Sequence, residues 1–344
     1  MNKAEIKLAL QSLTPEERRA LIFEVEQESS LHSPILGRRR KVLNNKIGCC
    51  PHCSSKKYRK HGVDKGSQRY YCLSCKRTFT EYTGTWLSGI HKKELVGEYL
   101  KLMEQELSLD KIKSILGINK KTAFDWRHKI LSGLENEDKE PFRGITESDD
   151  TFFLESSKGH KLEVRPPRRR GGTAQKRGIS NEQVAVIVTA DKNAELGLTV
   201  AGPGRVRKVD IERAIGQRVS KETILCSDGH VSYKGFAIDN CIEHHPIRVD
   251  LKQFVKGKIY YIQHFNSIDS RLKKWIGYRF SGVSSKYLQK YLNWFKAKER
   301  LKNSKEFLKE FTNRSLEDTM ALERYRQINQ SFEKLVKLPR KIKL

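Results

Sequence analysis

The stretch ITESDDTFFLES, residues 145–156, decides how the chain is read. It is strand-like and carries two adjacent acids, Asp149 and Asp150. A second strand-like run, ETILCSDGH (222–230), ends in Asp228. Between them, EQVAVIVTA (182–190) and LGLTVAG (196–202) suit strands, and KVDIERAIGQRV (208–219) has helical periodicity. Three strands, a helix and a further strand predict a mixed sheet flanked by helices. An acid at the end of an otherwise apolar strand is costly without a partner. A divalent cation suits that role, and carboxylates on adjacent strands can hold two Mg²⁺ or Mn²⁺ ions. Either acid alone also fits a solvated turn. Side chains alternate along a strand, so only one of Asp149 and Asp150 points to such a site.

Upstream of this region lies CCPHCSSKKYRKHGVDKGSQRYYCLSCKRTFTEYTGT (49–85). Cys50 and Cys53 form one CxxC pair, Cys72 and Cys75 another, with 18 residues between the pairs (72 − 53 − 1). That spacing predicts a zinc ribbon whose two turns supply four thiolates to one structural Zn²⁺. Cys49 and His52 are spare, and disulfides are the weaker reading of these cysteines. The segment LSLDKIKSILGINKKTAFDWRHKIL (107–131) has the form of a helix-turn-helix. Ser108 and Asn119 sit where helix caps belong, Gly117 makes the turn, and Ile112, Ile115 and Leu116 face inward. In the second helix Lys120, Lys121, Thr122 and Asp125, with Arg127 a turn later, would reach bases or phosphates. An ordinary helical hairpin fits the same pattern.

The charge balance bears on the partner. Lys and Arg number 68 against 41 Asp and Glu among 344 residues, a net charge of +27. Such an excess favours a polyanion, and double-stranded DNA is the expected one. Between the first two strands RPPRRRGGTAQKRG (165–178) is too polar to pack, so Arg168, Arg169 and Arg170 are read as a DNA-contacting arm. No apolar run approaches the ~18–20 residues that span a bilayer, and the N-terminus lacks the apolar core of a signal peptide. A cytoplasmic, nucleoid-associated protein without a membrane partner is therefore expected. Five pieces are expected: a helical segment (1–35), with a Thr14–Glu17 capping box ahead of Leu21, Ile22 and Val25; the zinc ribbon (36–90), entered through a basic linker LGRRRKVLNNK (36–46); the helix-turn-helix (91–135); a mixed α/β domain (143–300); and a helical basic tail (301–344) ending in a loose LVKLPRKIKL. The fold class is thus multidomain α+β.

One helix completes the picture. In QHFNSIDSRLKKW (263–275), at 100° per residue, Ser270 and Lys273 lie within about 40° of Asn266 and Asp269 about 60° away. Ile268, Leu272, Trp275 and Ile276 gather on another side. An amphipathic helix with a solvated face gives the same periodicity. Further on, YLQKYLNWFKAKERLK (287–302) places Tyr287, Tyr291, Leu292 and Phe295 at helical spacing, as a core helix does.

Taken in order, ITESDDTFFLES, RGISNEQV, ILCSDGH, YYIQHFNSIDSRLKKWI and GVSSKYLQKYLNWF resemble the insertion-sequence transposases of the DDE (RNase H-like) superfamily. The branch they resemble is the ISXO type, which carries an N-terminal zinc ribbon; the resemblance covers roughly residues 35–300. It implies an RNase H-like catalytic domain that cuts and joins DNA at terminal inverted repeats with Mg²⁺ or Mn²⁺, and a homo-oligomer on DNA. It implies Asp149 and Asp228 as the first two catalytic acids. The family's third position is Glu or Asn followed seven residues later by Lys, which implies Asn266 as a metal-site residue and Lys273 (266 + 7) as a phosphate contact. The chain departs from the family in having Asp149-Asp150 where Asp-Glu is usual. An Asn carbonyl is a hard neutral oxygen that suits such an ion directly or through water, though it cannot act as a general base. Asp269, three residues on, offers a carboxylate if the helix turns slightly. The same modules without chemistry would make a DNA-binding regulator, and the same fold acting on branched DNA a structure-selective nuclease.

Overall fold

The computed structural model describes residues 8–9, 11–18, 33–64, 66–135, 140–157, 172–248, 251–252, 254–257 and 259–337. Leu21, Ile22, Val25 and the arm residues Arg168, Arg169 and Arg170 lie outside the described residues. The chain forms two compact units, residues 1–133 with 305–322, and residues 134–304 with 323–344. The expected tail thus divides: its first part joins the N-terminal unit, and its second part the other.

In the first unit the Thr14–Glu17 box forms, with Thr14 N on Glu17 Oε2 at 3.0 Å and Glu17 N on Thr14 Oγ1 at 3.3 Å. The basic stretch expected as a linker is helical instead: α1 spans Ser33–Asn44. Its apolar residues Ile35, Leu36 and Leu43 are buried while Arg38 between them stays exposed, so one face packs. Strands β1 (Tyr58–Asp64), β2 (Ser67–Cys72) and β3 (Thr78–Phe79) make an antiparallel three-stranded sheet. Its core is small: Leu43, Cys50, Tyr58, Tyr70, Cys72 and Phe79. The two tyrosines tie α1 to the sheet, Tyr58 Oη donating to Leu43 O and Tyr70 Oη to Asn44 Oδ1, both at 2.9 Å.

Three helices follow, α2 (Val96–Glu104), α3 (Leu109–Leu116) and α4 (Lys120–Ser132). The caps stand where sequence places them. Ser108 Oγ accepts from Lys111 N at 3.3 Å, and Asn119 Oδ1 accepts from Lys121 N at 2.8 Å. Gly117, at φ 61°, takes the left-handed turn that a side chain would strain. Ile112 and Ile118 are buried, and Tyr99 meets Trp126 edge-on at 5.4 Å. Ile115, expected inward, is exposed, because the stripe of so short a helix centres on Ile112 and Leu116.

Helix α9 (Phe307–Glu317) returns to this unit late in the chain. Trp86, fully buried, donates from Nε1 to Ser315 Oγ at 3.1 Å. A Cβ on Gly133 would lie 2.1 Å from the Ser315 carbonyl oxygen. The Gly133 backbone has an ordinary φ of −72°, so an added methyl would meet a purely steric obstacle. Gly133→Ala is therefore expected to destabilise the protein by roughly 1–3 kcal/mol. A thermal melt reads this, and an unchanged midpoint would show that the backbone around Ser315 yields freely.

The second unit is built on a five-stranded sheet of order β6-β5-β4-β7-β8. The strands are β4 (Gly144–Leu154), β5 (Gln183–Asp191), β6 (Leu196–Pro203), β7 (Thr223–Ser227) and β8 (Glu243–Pro246). β4, β5 and β6 form an antiparallel meander, whereas β7 pairs parallel with β4 and β8 parallel with β7. Parallel pairing needs crossovers. Here they are α5 (Lys208–Ile215) before β7 and α6 (Val231–Asp239) before β8. The mixed sheet matches the expectation, but β8 was not anticipated: its sequence, Glu-His-His-Pro, is short, polar and closed by proline. On the α5/α6 face Ile187, Leu225, Tyr233, Phe236 and Ile211 form the main core. On the opposite face Cys226, Ile247 and Ile262 pack with Ile145 and Tyr260. That face also takes α7 (Gln263–Lys274), through buried Phe265, Ile268 and Leu272. A π-helical turn, Trp275–Arg279, extends α7, and Trp275 joins Tyr291, Trp294 and Phe295 of α8 (Leu288–Leu301). Among the described residues α10 (Ala321–Lys337) is the last element.

Candidate active site and metal centre

The register of β4 against β7 brings the two separate acids together. Thr146 pairs with Leu225 and Glu147 with Cys226. Two residues further along each strand stand Asp149 and Asp228, the latter on the turn after Ser227. Alternation puts Glu147 and Asp149 on the α7 face and Ser148 and Asp150 on the α5/α6 face. Asp150 is held there by Tyr233 Oη, which donates at 2.8 Å. Asp149 Oδ1 accepts from the Asp150 amide at 2.7 Å, and exposed Asp228 accepts from the His230 amide at 2.9 Å.

These carboxylates crowd one another. Burial, followed by the charge of Asp228, pushes the Asp149 carboxyl up to about 8, with Asp150 and Asp269 adding to the rise. Burial also pushes Asp150 up to about 7, Asp228 and Asp210 adding to it while the Tyr233 hydroxyl opposes it. Like charges that act on one another in this way favour either protons or a cation in their field. Asp269 on α7 belongs to the same field. Its side chain is 18% exposed, its Oδ2 meets Lys273 Nζ at 2.9 Å, and its Oδ1 is buried with no hydrogen-bond partner. An orphaned buried carboxylate oxygen within the field of Asp149 fits a divalent ion with oxygen ligands.

Asn266, one turn earlier on α7, is exposed, and its amide makes no hydrogen bond to Asp149 or Asp228 among the described residues. Lys273 is taken up by Asp269. Asp149, Asp228 and Asp269 do not form a donor set as tight as that of the four cysteines. Among the described residues, the set of metal-ligating side chains whose donor atoms all lie within 4.8 Å of one another is Cys50, Cys53, Cys72 and Cys75.

That cysteine set is compact. Cys50 Sγ lies 3.7 Å from Cys75 Sγ, and Cys53 Sγ 3.6 Å from Cys72 Sγ. The edge of a tetrahedron with Zn–S bonds near 2.3 Å is about 3.8 Å, so the donors fit one zinc ion. All four are free thiols, and exposed Cys49 stands outside the set. His52 Nε2 lies 3.4 Å from the Thr78 carbonyl oxygen instead.

Of the residues expected to meet DNA, Lys120 and Lys121 are exposed and Thr122 is half-buried at the start of α4. Lys120 also pairs with exposed Asp110 at 2.9 Å. Arg127 is a correction. It is 1% exposed, and its Nη2 donates to the Leu107 carbonyl at 2.6 Å, which takes it off any DNA-facing surface. Helical phase hid this: α4 buries a wide face, and Arg127 follows Trp126 into it. Sequence reading also missed Glu147 and Tyr233, which act across the fold and leave no local signature.

A mixed α/β unit with acids at adjacent strand ends, joined in one basic chain to a four-cysteine sheet, defines the class. Residues 141–298 match the ISXO2-like transposase domain. That stretch is thus similar to the transposase domains of insertion sequences. A Halobacterium salinarum relative, described as an uncharacterized protein in transposable element ISH50, is 23% identical over 272 residues, 76% of this chain and 88% of that protein. A pre-cleavage Mos1 transpososome aligns at 12% identity with a TM-score of 0.24, over 68% of this chain and 77% of that one. The mariner Mos1 paired end complex with Mg aligns at 14% and 0.27 over the same shares. No helix among the described residues is long and apolar enough to cross a membrane.

Proposed function

We propose that this protein binds the terminal inverted repeats of an insertion sequence and catalyses metal-dependent DNA cleavage and strand transfer. The observation that carries the reading is the β4–β7 register that puts Asp149 and Asp228 at adjacent strand ends, in the domain that matches the transposase family, with the orphaned Asp269 oxygen in the field of Asp149. The sheet order with its antiparallel meander and parallel pair is read as RNase H-like. The four-cysteine sheet is read as a zinc ribbon, with Cys50, Cys53, Cys72 and Cys75 holding a structural Zn²⁺. Helices α2 to α4 are read as a helix-turn-helix that presents Lys120, Lys121 and Thr122 to double-stranded DNA, with Arg168, Arg169 and Arg170 as an additional arm. Pairing of two element ends calls for a homo-oligomer on the DNA.

In the reaction, water oxygen attacks phosphorus at the element end and the bond to the 3′ oxygen breaks, leaving a free 3′-OH. That hydroxyl then attacks a target phosphodiester and displaces the target's own 3′ oxygen. Bound Mg²⁺ or Mn²⁺ would activate the attacking oxygen and stabilise the leaving one. Asp149 and Asp228 would hold the ions from adjacent strand ends. Helix α7 supplies the third position: Asp269 offers a carboxylate and Asn266 a neutral oxygen at the rim. Lys273 orients Asp269 and brings positive charge to the DNA phosphates.

The test is a labelled element end incubated with purified protein and Mg²⁺ or Mn²⁺. Wild type is expected to yield a 3′-OH end or a strand-transfer product, and Asp228→Ala neither, with DNA binding retained. Equal inertness of both across ends and metals leaves only a DNA-binding regulator. Equal cutting of unrelated branched DNA identifies a nuclease instead. In the same assay Asp269→Asn should lose on the order of 10²-fold and Asn266→Ala about tenfold less. The opposite ranking makes Asn266 the third ligand.

A further inference from the structure

Helix α7 has no cap of its own. Its N-cap residue is Ile262, which offers no side-chain acceptor, and its first turn, Gln263-His264-Phe265, contains no acid. The first amides of a helix still need acceptors. They find one in the sheet: Phe265 N donates to Glu147 Oε2 at 2.9 Å, across 118 residues of sequence, and the His264 amide donates to the same carboxylate. Glu147 is 3% exposed and stands on the α7 face of β4, two residues before Asp149. A carboxylate at a helix N-terminus also meets the positive end of the helix dipole.

We infer that Glu147 is a positioning residue, whose bond to the start of α7 sets where Asn266 and Asp269 stand relative to Asp149. The inference rests on the proposed catalytic site. Phe265, Ile268 and Leu272 are buried and determine which face of α7 meets the sheet. Apolar packing is non-directional, however, and resists sliding along the helix axis only weakly. A charge-assisted hydrogen bond is directional and holds that coordinate. Asn266 follows Phe265 directly and Asp269 lies about one turn further, so both inherit the placement of the capped turn. Metal sites tolerate roughly 0.5 Å of misplacement, which makes this coordinate the critical one.

The experiment uses the full chain with zinc bound and compares Glu147→Gln, Glu147→Asp and Glu147→Ala. Gln keeps the length and an acceptor oxygen but not the charge, whereas Asp keeps the charge but is one methylene short. Position as the governing quantity predicts that Gln stays within about tenfold of wild type in single-turnover cleavage. Asp and Ala should fall on the order of 10²-fold, with the half-saturating Mg²⁺ concentration raised about tenfold and end binding intact. Amide exchange of His264 and Phe265 should quicken in Asp and Ala with no DNA or metal present. The reverse ranking, Asp near wild type and Gln impaired, makes Glu147 a charge or a ligand and overturns the inference. Unaltered exchange in both Asp and Ala overturns it too, as does quickened exchange with an unaltered Mg²⁺ midpoint. Should Ala not fold, Gln against Asp still decides. A wild type inert on all ends and metals removes the transposase reading separately, while the exchange data still report on the cap.

Discussion

Asp149→Asn is expected to eliminate cleavage and to make the protein more stable. The activity loss follows from removing a charged oxygen where bound metal would contribute several kcal/mol to the transition state, a fall on the order of 10³-fold or more. The stability gain follows from proton linkage. Burial and Asp228 raise the Asp149 carboxyl from 3.8 to about 8, so the folded state binds this proton more tightly than the unfolded state does. The destabilisation is absent below pH 3.8, grows as pH rises through that interval, and is complete above about pH 8. Asn removes it, which should stabilise the fold by roughly 1–4 kcal/mol at neutral pH and by less near pH 5. For a unit of this size that is a rise of about 2–10 °C in Tm. Mg²⁺ should raise the Tm of wild type and leave Asp149→Asn nearly unchanged, since the variant lacks the ligand. Melting curves at two pH values, with chelator and with Mg²⁺, read all of this. A variant less stable than wild type at both pH values would show that Asp149 is a structural acid.

Cys72→Ser is expected to release zinc and unfold the small sheet of the first unit. Without metal, β1 to β3 rest on six buried side chains, two of which are the cysteines Cys50 and Cys72 themselves. A structural zinc contributes on the order of 10–16 kcal/mol of apparent binding free energy in peptides, far more than so small a core supplies. Serine is a poor zinc ligand, so bound metal should drop from about one ion per chain to near none. Protease sites between residues 49 and 85 should then open, and affinity for the element end should fall. Cys49→Ser is the control, because that exposed thiol stands outside the cluster and should change none of these readings. Full zinc content together with protease resistance in Cys72→Ser would sink the metal-ribbon reading.

Both experiments address residues that are legible in the sequence, and the reason is physical. The cysteine spacing is local: two tight turns and the sheet between them are encoded within some 26 residues (75 − 50 + 1), and the four sulfurs meet as that spacing requires. The strand-end acids are similarly legible, because a charge closing an apolar run is conspicuous whatever the topology. Ser108, Gly117 and Asn119 announced their turn because caps act within three residues. Where the reading failed, the missing quantity was contact. Helical phase puts Arg127 on the surface, yet it satisfies a carbonyl twenty residues away and is buried. The basic stretch before the cysteines reads as a linker, yet Leu43 and two tyrosine hydroxyls bind it to the sheet as part of α1.

By itself, then, the sequence determined the four-cysteine set, strands β4 to β7 with the helix α5 between β6 and β7, and the acids available to a cation. All of these are carried by spacing and periodicity, which persist in an unfolded chain. The tertiary structure alone decided the rest. Parallel pairing of β4 with β7 set Asp149 beside Asp228. Tyr233 held Asp150 on the other face, and α7, whose Phe265 amide donates to the Glu147 carboxylate, carried Asp269 within the field of Asp149. Those choices depend on register and on bonds between residues some 80 to 120 positions apart, and strand register follows from how whole faces pack rather than from any short run of residues.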